Sequence, residues 1–309
     1  MNCKKSFVQK RADLKLLRRK IWFERWIKGE TINQLTKASK LSKETLRKIF
    51  IHFLKKDPNY NLDLSKYKYV SFDGKYLFGR KYSLILIFDV LKNKPIVGKV
   101  VKSETRKHIE PFLRDLKNSD FNPEVVTTDG LYTVLKAFKT VYPNIINQRC
   151  LFHIKLQVNM WLRRPPRTEI GKELSKLVAK LLFVDNNEKK LEFINDFYKI
   201  KSKYFSLINL IKEKKTKQNF YKEIYLSSSD ITRIKTSIER DLLKSIILIE
   251  NALPNLFHYL GDKKISKTTS QLEGYFKQIQ RIRGFQHCGL TKQHLFDFIK
   301  WKIYFDFCK

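Results

Sequence analysis

Between Tyr69 and Ile145 the sequence alternates in a way that leaves few folds open. Tyr69 to Phe72, Tyr82 to Phe88 and Ile96 to Val101 are short runs rich in β-branched and aromatic residues, separated by Gly, Lys and Asn-Lys-Pro punctuation. They predict a three-stranded meander. A helical period over Arg106 to Leu116, a strand at Val125 to Thr128, a helix over Leu131 to Val141 and a short strand near Ile145 follow. The order βββαβαβ calls for a sheet that mixes antiparallel and parallel strands.

The flanks read as helices. Residues 11 to 27 place Leu14, Leu17, Ile21, Trp22, Trp26 and Ile27 at helical spacing opposite a charged face, and Gly29 ends the run. Thr31 can cap a short second helix with Ile32 and Leu35 inward, and Ser42 can cap a third, Lys43 to Phe50. Helix, short helix, tight turn and helix make a helix-turn-helix candidate over residues 1–60. Its last helix would enter a major groove with Lys43, Glu44, Arg47 and Lys48 outward and Leu46, Ile49 and Phe50 in the core. A purely structural bundle is the competing reading, and Asp57 to Asp63 is the expected linker. After His153 the strand signals stop. Residues 155–260 show Lys-rich faces and helical periods, such as Leu174, Leu177, Val178, Leu181 and Leu182.

Three carboxylates stand out. Asp73 and Asp129 each close a β-rich run and are followed at once by Gly, so each reads as a carboxylate at or near the exit of a buried strand. Glu273 opens a helical stretch. Two strand carboxylates and one from a helix can hold a pair of divalent metals for phosphodiester chemistry. Asp-Gly is also a frequent turn pair, and Ser270-Gln-Leu-Glu273 also fits a capping box. Asp89, Asp115, Asp120 and Asp297 are rival carboxylates. With Asp73 on the first strand and Asp129 at the end of the fourth, the element order matches a ribonuclease-H-like core. In this α/β fold residues 67–154 form its first part, 155–260 an all-helical insertion, and 261–309 the returning helices. The apolar faces of Phe296, Phe298, Ile299 and Trp301 would cover the sheet.

Charge points to the partner. The sequence carries 64 Lys and Arg against 30 Asp and Glu, a net +34, far more than solubility requires. A polyanion is implied, and nucleic acid fits best. The cations are spread along the length instead of flanking an apolar anchor, and no run reaches the roughly 18 apolar residues of a membrane span. The first residues lack the apolar segment of a secretory signal, so the cytoplasm, at the nucleoid, is the expected location. A disordered packaging protein is disfavoured by a 42% hydrophobic fraction with 23 Phe and 14 Tyr.

Cys3, Cys150, Cys288 and Cys308 are too scattered for a disulfide framework or a self-contained zinc finger. Cys150 and His153 could supply half a zinc site completed by His287 and Cys288, a Cys-His nucleophile, or a half-buried pair beside the metal centre. In the last case His153 would position a phosphate or a flanking strand, or serve the structure only.

Ser71-Phe-Asp-Gly-Lys-Tyr-Leu77, Thr127-Thr-Asp-Gly130, Gln148-Arg-Cys-Leu-Phe-His-Ile154 and Thr268-Thr-Ser-Gln-Leu-Glu-Gly-Tyr-Phe276, followed by Arg281-Ile-Arg-Gly284, occur in this order. With Trp22-Phe-Glu-Arg-Trp26, they make the chain resemble the Mutator-like transposases of bacterial insertion sequences, which use an Asp, Asp, Glu site. The resemblance implies Mg²⁺-dependent hydrolysis at element ends, with Mn²⁺ as a substitute, and transfer of the freed 3′-hydroxyl into target DNA. It implies Asp73, Asp129 and Glu273 as metal ligands, Cys150 and His153 as accessory groups, and Arg281 and Arg283 among the DNA contacts. The partners would be terminal inverted repeats, target DNA and further copies of the chain. Some relatives begin with a cysteine-paired metal module, whereas here only Cys3 precedes the first helix. A non-catalytic DNA-binding regulator and a simple nuclease of the same fold are the alternatives.

Overall fold

A computed structural model describes residues 8–58, 63–78, 80–163, 165–216, 237–287 and 289–308. Cys3, Cys288 and most of the expected linker fall outside them. The elements in chain order are α1 (Val8–Ile27), α2 (Ile32–Ser39), α3 (Lys43–Leu54), β1 (Tyr69–Leu77), β2 (Tyr82–Asp89), β3 (Lys94–Val101), α4 (Arg106–Lys117), β4 (Val125–Thr128), α5 (Tyr132–Val141) and β5 (Ile146–Arg149). Then come α6 (Leu151–Leu162), α7 (Glu169–Lys180), α8 (Asn187–Thr216), α9 (Ser237–Ala252), α10 (Ser270–Arg281) and α11 (Lys292–Phe307). The five strands form one mixed sheet in the order β3-β2-β1-β4-β5, antiparallel between β2 and β3 and parallel from β1 through β4 to β5. One expectation needs correction: β1 does not exit at Asp73 but continues through Gly74 to Leu77. The Asp73-Gly74 pair is therefore strand, and the turn reading fails there.

The chain divides into two compact units. The first comprises Met1–Tyr67, Phe72–Asn122 and Gln271–Lys309. Its core is an aromatic cluster shared by α1, α3, β2 and the C-terminal helices, including Phe23, Trp26, Phe50, Phe53, Phe298, Trp301 and Phe305. Trp26 stacks on Phe50 with ring centroids 4.7 Å apart, and Trp301 donates its indole N–H to the carbonyls of Phe53 and Lys56, each at 3.1 Å. The apolar stripe of α1 is displaced from its expected position. Phe23, Trp26 and Ile27 are buried, whereas Leu17 and Ile21 are 57% and 47% exposed, because they lie on a different face of α1 from the buried residues. Both expected caps form: Thr31 and Gln34 make a reciprocal capping box, and the Ser42 hydroxyl accepts from the Thr45 amide at 3.1 Å.

α11 lies against β3 in this unit, with Phe298, Ile299 and Trp301 buried and Phe296 partly so. The approach is close enough that a Cβ on Gly98 would come within 2.7 Å of Ile303 Cδ1. α10 buries Leu272, Tyr275, Phe276 and Ile279. It is tied to α11 where the Tyr275 hydroxyl donates to Asp306 at 2.9 Å, beside the buried Lys302–Asp306 ion pair.

The second unit comprises Lys68–Ser71 and Pro123–Ser270. Its core runs from Val125 through Leu151, Ile154 and Val158 of α6, along α7 and α8, to Ile246 and Ile249 of α9 and on to Ile265. From α6 to α9 every regular element among the described residues is helical. No described helix is long and apolar enough to cross a membrane.

The aromatic cluster makes a prediction about stability. Phe23→Ala or Trp26→Ala should destabilise the first unit by about 3–5 kcal/mol, and Leu17→Ala by much less. Urea unfolding followed by tryptophan fluorescence measures this, and equal effects at Leu17 and Phe23 would contradict the assignment of the core.

Candidate metal centre

In the first unit, Asp73 and Glu273 each present a carboxylate oxygen, and these atoms lie within 4.8 Å of each other. Both side chains are half-buried. Asp73 owes its place to β1, where Val70, Ser71 and Phe72 are buried before the strand emerges at Lys75; its Oδ1 accepts from the Gly74 amide at 2.8 Å. Glu273 lies in the first turn of α10, where the helix dipole favours a negative charge. The helix already includes Ser270, whose amide is directed at Thr268 Oγ1 at 3.5 Å, so Ser270 lies within the first turn instead of outside it as a cap.

Asp129 belongs to the second unit and follows directly on the fully buried β4. Its Oδ1 accepts from the Leu131 amide at 2.9 Å, and the Gly130 amide donates to Thr128 Oγ1 at 3.1 Å. Here the turn reading holds: Gly130 has φ +81°, and a Cβ at this position would fall 1.7 Å from Arg149 Nε. Arg149, paired with Thr128 at the end of β5, is 8% exposed. Burial pushes its guanidinium pKa down, with Asp129 and Cys150 pulling the other way. Sequence reasoning missed Arg149, although its place between a strand end and Cys150 was a usable signal.

Cys150 and His153 are coupled through Thr269. Cys150 leads into α6, and its Sγ accepts from the Thr269 amide at 3.3 Å and from the Thr269 hydroxyl at 3.5 Å. The same hydroxyl lies 3.4 Å from His153 Nδ1. Burial raises the Cys150 thiol pKa, but hydrogen bonding and charge from His153, with help from Thr269, outweigh burial and leave it below the ordinary thiol value. Gln148, from the same motif, donates to the Leu256 carbonyl at 2.8 Å and accepts from the His258 amide at 3.1 Å. Such a buried, twofold-satisfied amide pins the return segment to β5. The zinc reading gains nothing from His287, whose Nε2 lies 2.7 Å from the Trp26 carbonyl in the first unit's core. Cys288 lies outside the described residues.

The rival carboxylates have local duties. Asp89 Oδ1 accepts from the Leu91 and Lys92 amides at 2.9 and 3.2 Å, and Asp115 faces Lys99 at 3.9 Å. Asp120 is a left-handed turn residue, and Asp297 pairs with Lys300 at 3.8 Å and Gln293 at 3.3 Å.

The cationic candidates differ in setting. Lys43, Arg47 and Lys48 are exposed on α3, and Lys48 pairs with Glu44 at 2.6 Å. Arg47 lines a cleft of about 320 Å³ with Trp26, Ile32, Ile51 and His294. Arg281 is exposed, whereas Arg283 lies over the Phe78 ring, 4.8 Å from its centroid, within a π-helical turn, Ile282–Gln286. A groove of about 690 Å³ lined by Lys15, Arg18, Arg19 and Trp22 of α1, and by Ser39 and Thr45, was not foreseen.

A family model described as "Transposase, Mutator family" matches residues 35–240, which include Asp73, Asp129, Cys150 and His153 and stop short of Glu273. The transposase for insertion sequence element IS905 of Lactococcus lactis subsp. lactis (strain IL1403) is 24% identical over 220 residues, covering 66% of this chain and 51% of that protein. The chain thus spans about half the length of this curated relative. With β1 through α8 all inside the matched region, the chain belongs to the Mutator family of transposases.

Proposed function

We propose that this protein is a DNA transposase with a ribonuclease-H-like core, in which Asp73, Asp129 and Glu273 hold divalent metal and Cys150 and His153 are accessory. The observation that carries the reading is the Asp73–Glu273 pair, two hard oxygen donors within 4.8 Å in a chain of net charge +34. Chain continuity supports adding the other residues. Ser71 pairs with Thr127 in parallel, and Asp73 and Asp129 each follow their paired residue by two positions. Thr269, bonded to Cys150 and facing His153, precedes Glu273 by about one helical turn.

The hard carboxylate oxygens suit Mg²⁺, with Mn²⁺ as a substitute. Metal held there supplies the Lewis acidity that activates a water or a 3′-hydroxyl and offsets charge on the leaving oxygen. The protein's own part is to fix the carboxylates on a strand, a strand-end turn and a helix start, and to orient the His153 ring through Thr269. The reaction is hydrolysis at element ends followed by transfer of the 3′-hydroxyl into target DNA, carried out by a homo-oligomer on cytoplasmic, nucleoid DNA. In this reading α1–α3 form a helix-turn-helix that reads terminal repeats through Arg47 and Lys43, with Lys48, Arg281 and Arg283 contacting phosphates. The helices from α6 to α9 form the insertion between the core's first part and the helix bearing Glu273.

Asp73→Asn, Asp129→Asn and Glu273→Gln should each reduce Mg²⁺- or Mn²⁺-dependent cleavage of end DNA to background while DNA affinity stays within a few-fold, since the cations remain. Cleavage by Asp129→Asn at the wild-type rate would remove that residue from the centre. A wild-type protein that binds ends but never cuts would favour the regulator.

A second outcome concerns DNA binding. Arg47→Ala should cost about 1–3 kcal/mol of preference for end DNA over random DNA. Replacing Lys15, Arg18 and Arg19 by Ala should instead lower the salt slope, by about one for each phosphate no longer neutralised, with preference unchanged. Binding titrations over a salt series distinguish the two, and disappearance of the preference in the α1 variant would relocate the reading surface.

A further inference from the structure

The turn that carries Asp129 also presents two large apolar side chains to solvent: Leu131 is 42% and Tyr132 69% exposed. The buried face of α5 consists of Val134, Ala137, Phe138 and Val141, and neither residue belongs to it. The turn is pinned by Asp129 Oδ1 on the Leu131 amide and Thr128 Oγ1 on the Gly130 amide. Leu131 and Tyr132 are thus displayed from fixed backbone. Lys136, one turn further along α5, sets its ammonium 5.5 Å from the Tyr132 ring centroid and 3.3 Å from its hydroxyl. An exposed aromatic face, an aliphatic neighbour and a cation match the chemistry of a nucleotide, whose base stacks while its phosphate meets the ammonium.

We infer that Tyr132, flanked by Leu131 and Lys136, is a stacking platform for an unpaired base of the DNA next to the phosphodiester that is cut. Bases inside a duplex have both faces covered, so the ring finds a partner only where a base is unstacked or at a strand end. The platform follows Asp129 by three residues, which couples opening of the strand to cleavage. The inference rests on the proposed transposase reading and deepens it by naming the form of DNA that the site grips. Net charge and the neighbouring Lys136 favour nucleic acid over an apolar protein partner.

The test uses the full-length protein with fluorescent DNA in two forms, a blunt duplex and the same duplex with mismatches at one end, without metal so that no cutting occurs. A 2-aminopurine in the mismatched end reports stacking. Wild type and Tyr132→Phe should bind the mismatched form roughly tenfold more tightly and quench the probe, whereas Tyr132→Ala should lose the preference and the quench while keeping duplex affinity. Tyr132 is exposed, so the variants should fold, and thermal melts check that. Preference retained by Tyr132→Ala, or absent from wild type, overturns the platform. A change in self-association of Tyr132→Ala with unchanged DNA preference overturns it in favour of a contact between copies. Each of these results leaves the metal-centre reading to be decided by the carboxylate variants alone.

Discussion

The hydrogen bonds that receive residues 266–269 along β4 and the head of α6 govern where α10 can start, and hence where Glu273 can be. Thr127 donates its hydroxyl to the Ser266 carbonyl at 3.1 Å, the Leu151 amide donates to the Lys267 carbonyl at 3.0 Å, and the Thr269 amide donates to Cys150 Sγ at 3.3 Å. The chain leaves the sheet at Arg149, passes through α6 to α9 among the described residues and returns to the same strand ends. Loop-closure entropy grows only slowly with length, so a long excursion is tolerated provided the return is well anchored. Gln148, which binds the backbone at Leu256 and His258, adds an anchor upstream. The motif Gln148 to His153 therefore has a structural logic beyond any chemistry: one residue fastens the return segment, one packs under the Asp129 turn, and two bind the residue that introduces α10.

A different constraint governs the first unit. Phe23, Trp26, Phe50 and Phe53 from the N-terminal helices share their core with Phe298, Trp301 and Phe305 of α11. Deleting the first 60 residues would strip one side of that core and expose the aromatic face of α11, so truncation cannot separate the proposed DNA reading from folding. Substitutions on the outer faces of α1 and α3 are the sound way to divide them. The shared core also sets the outer face of α3 on the support that carries α11, itself tied to α10 through Tyr275, Asp306 and Lys302. A buried charge pair of this kind contributes more to geometry than to stability, because desolvation offsets its attraction.

Much of this was legible from residue pattern. The β-branched and aromatic runs gave the five strands and their order, since period and punctuation are local properties. The caps at Thr31 and Ser42 were legible for the same reason. What failed was information carried by partners distant in sequence. Leu17 and Ile21 repeat at helical spacing just as core residues do, yet the face that meets the core is the one carrying Phe23, Trp26 and Ile27. Asp73 closes the β-branched and aromatic run, so the sequence alone ends β1 there, yet in the structure the Asp-Gly pair continues as strand at Gly74 and turns only at Gly130. Asp73 and Glu273 could be named from their motifs, but their approach to within 4.8 Å depends on packing of α10 that no local pattern encodes.

Polar satisfaction is broken in an informative place. Among the described residues, the buried side-chain atoms without a hydrogen-bond partner are Asn147 Oδ1 and Arg149 Nε, both on β5 and two residues apart, hence on one face of that strand. Leaving a buried donor unmet costs about 1–3 kcal/mol, and a charged group costs more. Arg149 meets that cost while pressed against Gly130, where any Cβ would collide with its guanidinium. A site optimised for stability alone would replace this arginine with an apolar residue and relax the turn. The cation is instead kept within electrostatic reach of Asp129, at the end of a neighbouring parallel strand. Departures from local consistency tend to concentrate at functional sites, and the strain at Arg149 and Gly130 is what a role for the Asp129 turn in the proposed metal centre would require.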